Sequence, residues 1–396
     1  MNSENLILTI NAGSSSIKIA VYDMKNDKPV IKLSAKIEHI GTVDGEIIIK
    51  ENSTQSKYGA NTKSFHAATK SLIEWLEKQC WFLSVIAVGH RIVHGMRHTS
   101  AEVITDDLLS ELESIIDYDP DHLPSEIEIV KIFRLQHPQL LQIACFDTAF
   151  HTSIPAVAKT FAIPKSYSQQ GIQRYGFHGI SYSYLMKELH TQSATLFSAR
   201  VILAHLGNGA SLAAVKEGKC IDTSMGFTPA GGIVMSSRSG DIDPGIAWFL
   251  MRKGMNAKDF NHLINHQSGL LGISGISSDM QQLLKQEQIS KDAALAVEIF
   301  CYQIKKYIGA YSAALNGLDV LVFSGGIGEN AAEIRVRICE GLAYLGVEIN
   351  EEKNANNERE ISTDESRVKV YVIATNEELM IAATTSELYK EYNKNN

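Results

Sequence analysis

The feature that most constrains the fold of this chain is a strand–turn–strand pattern that occurs twice. Near the start, the sequence Asn-Ala-Gly-Ser-Ser-Ser at 11–16 lies between two short apolar runs. The sequence His-Leu-Gly-Asn-Gly-Ala-Ser at 205–211 lies between two more. Each pattern predicts two strands joined by a tight turn that exposes backbone N–H groups to an anion. The repetition predicts two similarly folded halves, although chance similarity between two glycine-serine hairpins is an alternative explanation.

Helical and strand patterns alternate along the rest of the chain, which is typical of α/β layers with mixed sheets. The spacing of apolar residues predicts helices at 64–79, 106–116, 125–136, 243–252 and 291–315, a helix beginning near 330, and strands at 83–88, 142–145, 320–323 and 369–373. The polar segment 51–61 and the charged segment 350–367 are predicted to be solvated loops.

Length and composition narrow the class of protein. A chain of 396 residues is too long for one core and predicts two domains. The net charge of -8 argues against general nucleic-acid binding, and no apolar run reaches the ~20 residues that cross a bilayer. The start of the chain lacks a signal-peptide pattern, and the five cysteines are scattered, which suits a reducing compartment. We therefore predict a cytoplasmic protein that binds neither nucleic acid nor membrane.

The segment 228–245 is a candidate anion-binding loop. It places one long side chain, that of Arg238, among small residues and follows it with two aspartates and a Pro-Gly pair. Small residues allow close approach of a ligand, and a guanidinium can grip a phosphoryl or carboxylate group with two donors. The alternative is an ordinary surface arginine in a flexible loop.

A second phosphate-type signal lies at 321–330, where an apolar strand runs through glycines into a helix. Free N–H groups and the positive helix end at such a junction favour an anion. Gly326-x-Gly328-x-x-Ala331 also matches a dinucleotide fingerprint, but it lies far from the start of its domain. A Walker A motif is excluded because Gly218-Lys219 is followed by Cys220.

Other polar residues follow predicted strands or lie beside glycines. Arg91 ends one strand, Asp147 ends another, and His178 lies between the glycines at 176 and 179. His90 and His94 have the spacing of metal ligands, but no third ligand pattern supports zinc. Carboxylates after the last strand, at 377–378, suit Mg²⁺ bound through water.

Taken together, these segments closely resemble the acetate kinase family of the sugar-kinase/Hsp70/actin superfamily. The matching motifs span almost the whole chain in the family's order, at 11–18, 90–95, 146–151, 174–179, 205–209, 228–245, 325–330 and 375–378. The resemblance implies a duplicated, ribonuclease H-like α/β fold with two lobes around a central nucleotide cleft. It implies an N-terminal lobe at 1–150, a nucleotide-binding lobe at 151–381, and a tail at 382–396 that packs back on the first lobe.

The resemblance also implies a reaction: reversible, direct in-line transfer of the ATP γ-phosphoryl group to acetate, or to another short-chain carboxylate, giving an acyl phosphate and ADP. It implies Mg²⁺ (or Mn²⁺) as cofactor, ATP as co-substrate and a homodimer. The residues to which it assigns roles are Arg91, Asp147, His178 and Arg238 in catalysis; Arg91, Val93 and Pro229 in acceptor binding; Asn11 and Glu377 at the metal; and Lys18, His205, Leu206, Gly207, Asn208, Gly209, Asp279, Met280, Gln281, Gly326, Ile327, Gly328, Glu329 and Asn330 at the nucleotide.

The chain departs from the family pattern at four positions. Asp121 stands where an apolar leucine lines the acyl pocket, and Gln281 stands where an arginine is usual. Gly231 replaces a common glutamate, and Tyr182 replaces a common histidine. Asp121 leaves the preference for the acceptor acid open, and Gln281 leaves the preference for the nucleotide open. A propionate or butyrate kinase, a nicotinamide-dependent dehydrogenase and a non-catalytic nucleotide-binding switch are the alternative functions.

Overall fold

The described part of the chain folds as two compact units. The computed structural model describes residues 5–13, 16–24, 29–42 and 45–395. Unit 1 is drawn from Met1–Ala149 and Asn376–Asn396, and unit 2 is Phe150–Thr375. The tail of unit 1 thus begins at 376 rather than at the expected 382, because its helix begins at Glu377 and packs on strands of that unit.

Unit 1 contains a mixed sheet covered by helices. Its strands are β1 (Leu6–Gly13), β2 (Ser16–Asp23), β3 (Val30–Ile37), β4 (Gly45–Glu51), β5 (Thr54–Ala60), β6 (Val85–Ile92), β7 (Glu102–Val103) and β8 (Leu141–Phe146). Its α-helices are α1 (Phe65–Glu77), α2 (Asp106–Ser114), α3 (Leu123–Gln136) and, at the end of the chain, α16 (Glu377–Asn395). Among the described residues the strand order is β5-β4-β3-β2-β1-β6-β8-β7.

The centre of the unit 1 sheet is buried on both faces, which explains the nearly continuous apolar sequence of β1. Helix α16 lies so close to β6 that a Cβ at Gly89 would be 2.1 Å from the Thr385 hydroxyl. Ile381 and Ala382 of the same helix are 1% and 0% exposed. Helix α16 is therefore part of the unit 1 core.

Unit 2 contains a smaller mixed sheet. Its strands are β9 (Arg200–Leu206), β10 (Ala210–Lys216), β11 (Lys219–Thr223), β12 (Val320–Ser324) and β13 (Lys369–Val372). Its α-helices are α4 (Ala156–Lys159), α5 (Lys165–Gln169), α6 (Gly179–Gln192), α7 (Ala194–Ser198), α8 (Pro244–Arg252), α9 (Ala257–His266), α10 (Gly269–Ser274), α11 (Met280–Gln286), α12 (Lys291–Leu315), α13 (Gly325–Asn330), α14 (Ala332–Cys339) and α15 (Glu351–Ala355). The described strands have the order β11-β10-β9-β12-β13.

The two sheets share one topology. In unit 1, β1–β3 form an antiparallel meander, and β6 and β8 add parallel strands on the other side of β1. In unit 2, β9–β11 form the same meander, and β12 and β13 add parallel strands beside β9. The predicted duplication is therefore confirmed. Ser14 and Ser15 of the first predicted turn lie outside the described residues.

Two predicted loops are wrong in part. Residues 51–61 contain the exposed edge strand β5, because pairing with β4 satisfies its backbone although its side chains are polar. Residues 350–367 contain the short helix α15, which begins where the Asn350 side chain accepts a hydrogen bond from the Lys353 N–H. No helix within the described residues is long and apolar enough to cross a membrane.

Candidate active site

In unit 1, three of the predicted residues lie where parallel strands end. Asn11 is on β1, Arg91 is on β6, and Asp147 directly follows β8. These three strands are parallel neighbours in the order β1-β6-β8. Their carboxyl ends share one edge of the sheet, which is where ligands bind in open α/β sheets. The fold therefore gathers residues that are far apart in sequence.

Arg91 is the centre of a hydrogen-bond network. Its Nε and Nη2 donate to Asp147 Oδ2 at 3.0 and 2.5 Å, and its Nη1 donates to Asn11 Oδ1 at 3.2 Å. The Asn11 amide nitrogen in turn donates to Glu377 Oε2 at 3.2 Å. The structure thus joins four of the predicted catalytic and metal-binding residues through direct contacts.

The charges in this network influence one another strongly. Burial lowers the pKa of Arg91, but the carboxylates of Asp147 and Glu377 outweigh that effect and raise it above its usual value. Burial raises the pKa of Glu377 to about 7, and Asp147 and Glu378 reinforce the rise against the opposing charge of Arg91. The network therefore favours an additional positive charge beside Glu377.

Sequence reasoning missed a buried carboxyl group beside Val93. Glu126 is 1% exposed, and its Oε2 accepts a hydrogen bond from the Val93 N–H at 3.0 Å. Burial raises its pKa well above the usual value, although Arg91 opposes this effect. A glutamate in the first turn of a helix gives no sequence signal that distinguishes it from a surface residue.

Lys18 lies directly opposite Asn11 in the β1–β2 pair, and it is exposed. It lines a cavity of about 430 Å³ that Asn376 and Glu378 also line. Its charge lowers the pKa of Glu377, although other groups near Glu377 have larger effects. The contact of Lys18 with nucleotide stays a prediction.

In unit 2, His178 has a backbone conformation that is uncommon for a residue with a side chain. It is the N-cap of α6 and adopts the left-handed region, with φ 59° and ψ 23°. Such strain is found disproportionately at functional sites. His178 lies between the irregular segment 174–177 and the helix that begins at Gly179. His178 is thereby fixed at a helix start.

Gly209 is the point where two predicted catalytic side chains meet. A Cβ on Gly209 would lie 3.2 Å from His178 Nε2 and 3.7 Å from Arg238 Nη1. Arg238 Nη1 also donates to the Pro229 carbonyl at 3.3 Å. The absence of a side chain at Gly209 therefore allows an imidazole nitrogen and a guanidinium nitrogen to approach the same point of the turn.

The turn at 207–209 adjoins the other glycine-rich segment. A Cβ on Gly207 would lie 3.7 Å from His205 Nε2 and 3.9 Å from the Gly326 backbone nitrogen. Asn208 accepts a hydrogen bond from the Ser236 N–H at 3.1 Å, which ties the turn to the Arg238 loop. The Leu206 carbonyl oxygen would be only 2.7 Å from a Cβ on Gly325, so the two segments pack closely at this point. The turn at 207–209, the Arg238 loop and the glycine-rich segment at 325–328 thus lie together in unit 2.

Glu329 braces the second glycine segment instead of projecting freely. Its Oε1 accepts hydrogen bonds from the N–H groups of Gly325 at 2.9 Å and Thr375 at 3.1 Å. Asn330 donates to the Gly326 carbonyl at 2.9 Å. These contacts fix the backbone of α13, so Gly326, Ile327 and Gly328 are the members of this segment whose backbone we expect to contact nucleotide.

The predicted nucleotide residues 279–281 lie at the start of α11. Asp279 caps this helix by accepting a hydrogen bond from the Gln281 N–H at 3.0 Å. Met280 is buried, whereas the side chain of Gln281 is exposed. The part of residues 279–281 in nucleotide binding stays a prediction.

His90 of unit 1 is buried against the Phe133 ring, and burial lowers its pKa to about 3.

Replacing Gly209 with alanine should lower kcat by about 10- to 100-fold, because a Cβ 3.2 Å from His178 Nε2 displaces the imidazole. Steady-state kinetics would measure the effect. Gly59→Ala is the matched control, because a Cβ at Gly59 meets nothing within 4 Å. Equal kcat values for Gly209→Ala, the control and the parent would show that the position of the His178 ring does not limit the reaction.

A guanidinium and an imidazole beside two glycine-rich turns, on a duplicated α/β fold, are the arrangement expected of a phosphotransferase. The family model for the acetokinase family matches residues 6–383. The chain belongs to the acetokinase family.

Individual relatives match the chain over its length. The acetate kinase of Caldanaerobacter subterraneus subsp. tengcongensis is 42% identical, over 97% of this chain and 99% of the relative. The structure of a propionate kinase from Francisella tularensis has a TM-score of 0.90 at 38% identity, covering 97% of this chain and 99% of that one. The Porphyromonas gingivalis acetate kinase structure has a TM-score of 0.87 at 34% identity, with the same coverage.

Proposed function

We propose that this chain is an acetate kinase, which transfers the γ-phosphoryl group of ATP reversibly to acetate. Membership of the acetokinase family supports this proposal. The observation that carries it is the approach of His178 Nε2 and Arg238 Nη1 to the same point of the chain, at Gly209. Two such donors can stabilise the negative charge on the oxygens of a phosphoryl group during its transfer.

In the proposed reaction, a carboxylate oxygen of acetate attacks the γ-phosphorus while the bond to the β–γ bridging oxygen breaks and ADP leaves. Arg238 and His178 stabilise the charge on the transferring oxygens. Arg91 holds the acceptor carboxylate and is itself oriented by Asp147, to which it donates from Nε and Nη2. Val93 and Pro229 contact the methyl end of the acceptor. No covalent intermediate with the protein is needed.

We propose Mg²⁺, or Mn²⁺, as the cofactor held by Asn11 and Glu377. An amide and a carboxylate supply the oxygen atoms that Mg²⁺ prefers, and such sites keep several waters and bind substrate phosphates. The Asn11 amide nitrogen donates to Glu377 Oε2 at 3.2 Å, so the two side chains lie next to each other. The ion would neutralise phosphate charge.

A hydroxamate assay with ATP, Mg²⁺ and equal concentrations of acetate, propionate and butyrate tests the proposed function. We expect acetyl phosphate as the preferred product. Propionyl phosphate as the preferred product would favour the sibling activity, for which the Francisella tularensis propionate kinase structure is the supporting observation. Nucleotide binding without any acyl phosphate would instead favour a non-catalytic switch.

Gln281→Arg should lower the KM for ATP a few-fold, or ~1 kcal/mol, because the exposed side chain at 281 can then place a cation against the base or ribose. The effect on kcat should be smaller. Gln286→Arg makes the same change at another exposed position, at the opposite end of the same helix, and is the control. Identical KM values for ATP and GTP in the parent and Gln281→Arg would contradict a nucleotide contact at 281.

We propose a homodimer in which α8 lies in the interface. No residue of α8 is buried, yet Ile246, Trp248, Phe249 and Met251 are between 43% and 68% exposed. A second copy of the chain would cover these apolar side chains. Trp248→Glu should convert a dimer to a monomer in analytical ultracentrifugation. Leu135→Glu, at a residue 83% exposed in unit 1, should not.

We propose the cytoplasm as the location of this protein. All five cysteines are free thiols, and four of them are buried. Buried free thiols are usual in proteins of reducing compartments.

A further inference from the structure

His178 is joined to a buried tyrosine through one serine hydroxyl. The distance from His178 Nδ1 to Ser211 Oγ is 2.9 Å, and the distance from Ser211 Oγ to the Tyr182 hydroxyl is 2.5 Å. Tyr182 and Ser211 are both 0% exposed. Tyr182 lies one turn into α6 and Ser211 lies on β10, so the chain of contacts links the helix to the sheet.

We propose that Tyr182 is a positioning residue that acts through Ser211 to keep the His178 proton on Nε2. The proposal rests on the proposed function, in which His178 donates to the transferring phosphoryl group. It assigns a role to a residue at which this chain departs from the usual family pattern.

The direction of the hydrogen bonds follows from the groups involved. A serine hydroxyl has one proton, so if Ser211 accepts from Tyr182 it donates to His178 Nδ1. A phenol is more acidic than an aliphatic alcohol, which favours Tyr182 as the donor. A neutral imidazole that accepts at Nδ1 carries its proton on Nε2. The relay Tyr182–Ser211–His178 therefore selects one tautomer.

The selected tautomer presents its N–H to the proposed phosphoryl site. His178 Nε2 is the ring atom nearest to the Gly209 position, beside Arg238 Nη1. A lone pair at Nε2 would repel an anionic oxygen there, whereas an N–H would bind it.

The surroundings of His178 disfavour a charged imidazole as the alternative donor. Arg238 Nη1 and His178 Nε2 both lie within 4 Å of a Cβ placed at Gly209, and the His205 ring stacks on the His178 ring at 4.3 Å between centroids. A second positive charge next to the guanidinium is unfavourable. A neutral ring fixed by the relay supplies the donor without that charge.

The tyrosine ring packs against two neighbouring aromatic rings. The rings of Phe150 and His151 each lie 5.7 Å from the Tyr182 ring, between centroids. Tyr182→Phe keeps these ring contacts and removes only the hydroxyl. This variant therefore tests the relay rather than the packing.

In Tyr182→Phe, Nε2 should carry a proton reliably only when the ring is charged. Histidine is the side chain that ordinarily changes charge between about pH 5 and pH 8, so kcat should then fall more than threefold from about pH 5.5 to about pH 8.5. The parent should change less than threefold over that range, and KM for the acceptor should be unchanged in both. Tyr371→Phe, at another buried tyrosine of the same core, should keep the parent profile.

The tautomer can be observed directly by ¹⁵N NMR of histidine-labelled protein, with the His178 signals assigned from their loss in His178→Gln. We expect an unprotonated Nδ1 and a protonated Nε2 in the parent, and a mixture in Tyr182→Phe and Ser211→Ala. A protonated Nδ1 in the parent, or a Tyr182→Phe variant with the parent's pH profile, would overturn the proposal. The NMR result stands even if no acyl phosphate is formed, so failure of the proposed function is a separate outcome.

Discussion

Replacing Arg238 with alanine should lower kcat by on the order of 10²–10³, with little change in stability. Arg238 Nη1 lies close to Gly209 and donates to the Pro229 carbonyl. A backbone hydrogen bond also holds this loop, because the Arg238 carbonyl accepts from the Met235 N–H at 3.1 Å. Alanine removes the guanidinium and keeps that backbone hydrogen bond, so we expect the main effect on the proposed phosphoryl transfer.

Arg238→Lys should recover only part of the loss, since an ammonium group lacks the planar pair of donors. Arg359→Ala is the control: it removes an exposed arginine of the same unit that pairs with Glu188. Stopped-flow or steady-state ADP release measures kcat, and thermal unfolding measures stability. A folded Arg238→Ala protein with near-parental kcat would remove Arg238 from the catalytic residues.

Arg91→Ala should lower kcat by a similar factor and, unlike Arg238→Ala, should also destabilise the protein. Asp147 is 0% exposed and would lose the two hydrogen bonds from Arg91. A buried carboxylate that loses its cation is strongly destabilising. Thermal unfolding of Arg91→Ala and Arg238→Ala, measured under the same conditions, would show whether only the first variant loses stability.

Replacing Arg335 with methionine should lower the free energy of unfolding by about 3–5 kcal/mol. Arg335 is 0% exposed, and its three nitrogens donate to oxygens of Gly328, Glu329, Asn354 and Asn357 at 2.6–3.0 Å. Methionine keeps the apolar stem and removes every donor. Because two of the acceptors are carbonyls of α13, we also expect weaker nucleotide binding.

Arg337→Met is the matched control on the same helix. Arg337 is 28% exposed and donates to the carboxylates of Glu287 and Glu333. A partly exposed ion pair contributes about 1 kcal/mol or less. Urea unfolding of both variants gives the comparison. Equal losses of stability would show that the backbone carbonyls near Arg335 do not need their donor.

Local chemistry explains which elements the sequence predicts well. Helix α12 has the predicted bounds, because Ser290 caps its start and Asn316 in the left-handed conformation ends it. The gathering of Arg91 and Asp147 was predictable from their places at strand ends. Strand β5 was not predictable from its own residues, because its sequence is polar and it is a strand only through its pairing with β4.

The supporting residues of the site are the part that sequence reasoning misses. Glu329 fits a nucleotide motif in sequence, but its carboxylate is occupied by two backbone N–H groups. Arg335 reads as one basic residue among others on a helix. The relation of such side chains to their acceptors depends on how separate segments pack, which no local pattern encodes.

The division of the chain has a consequence for biosynthesis. Unit 2 is one continuous segment, whereas unit 1 is completed by α16 at the end of the chain. During translation, residues 150–375 can fold as soon as they leave the ribosome, but the first 149 residues must wait for their last helix. A messenger RNA truncated before codon 377 would encode a polypeptide without α16 and without Glu377. The apolar residues of unit 1 that α16 covers would then be exposed, and we expect cellular proteases to degrade the polypeptide.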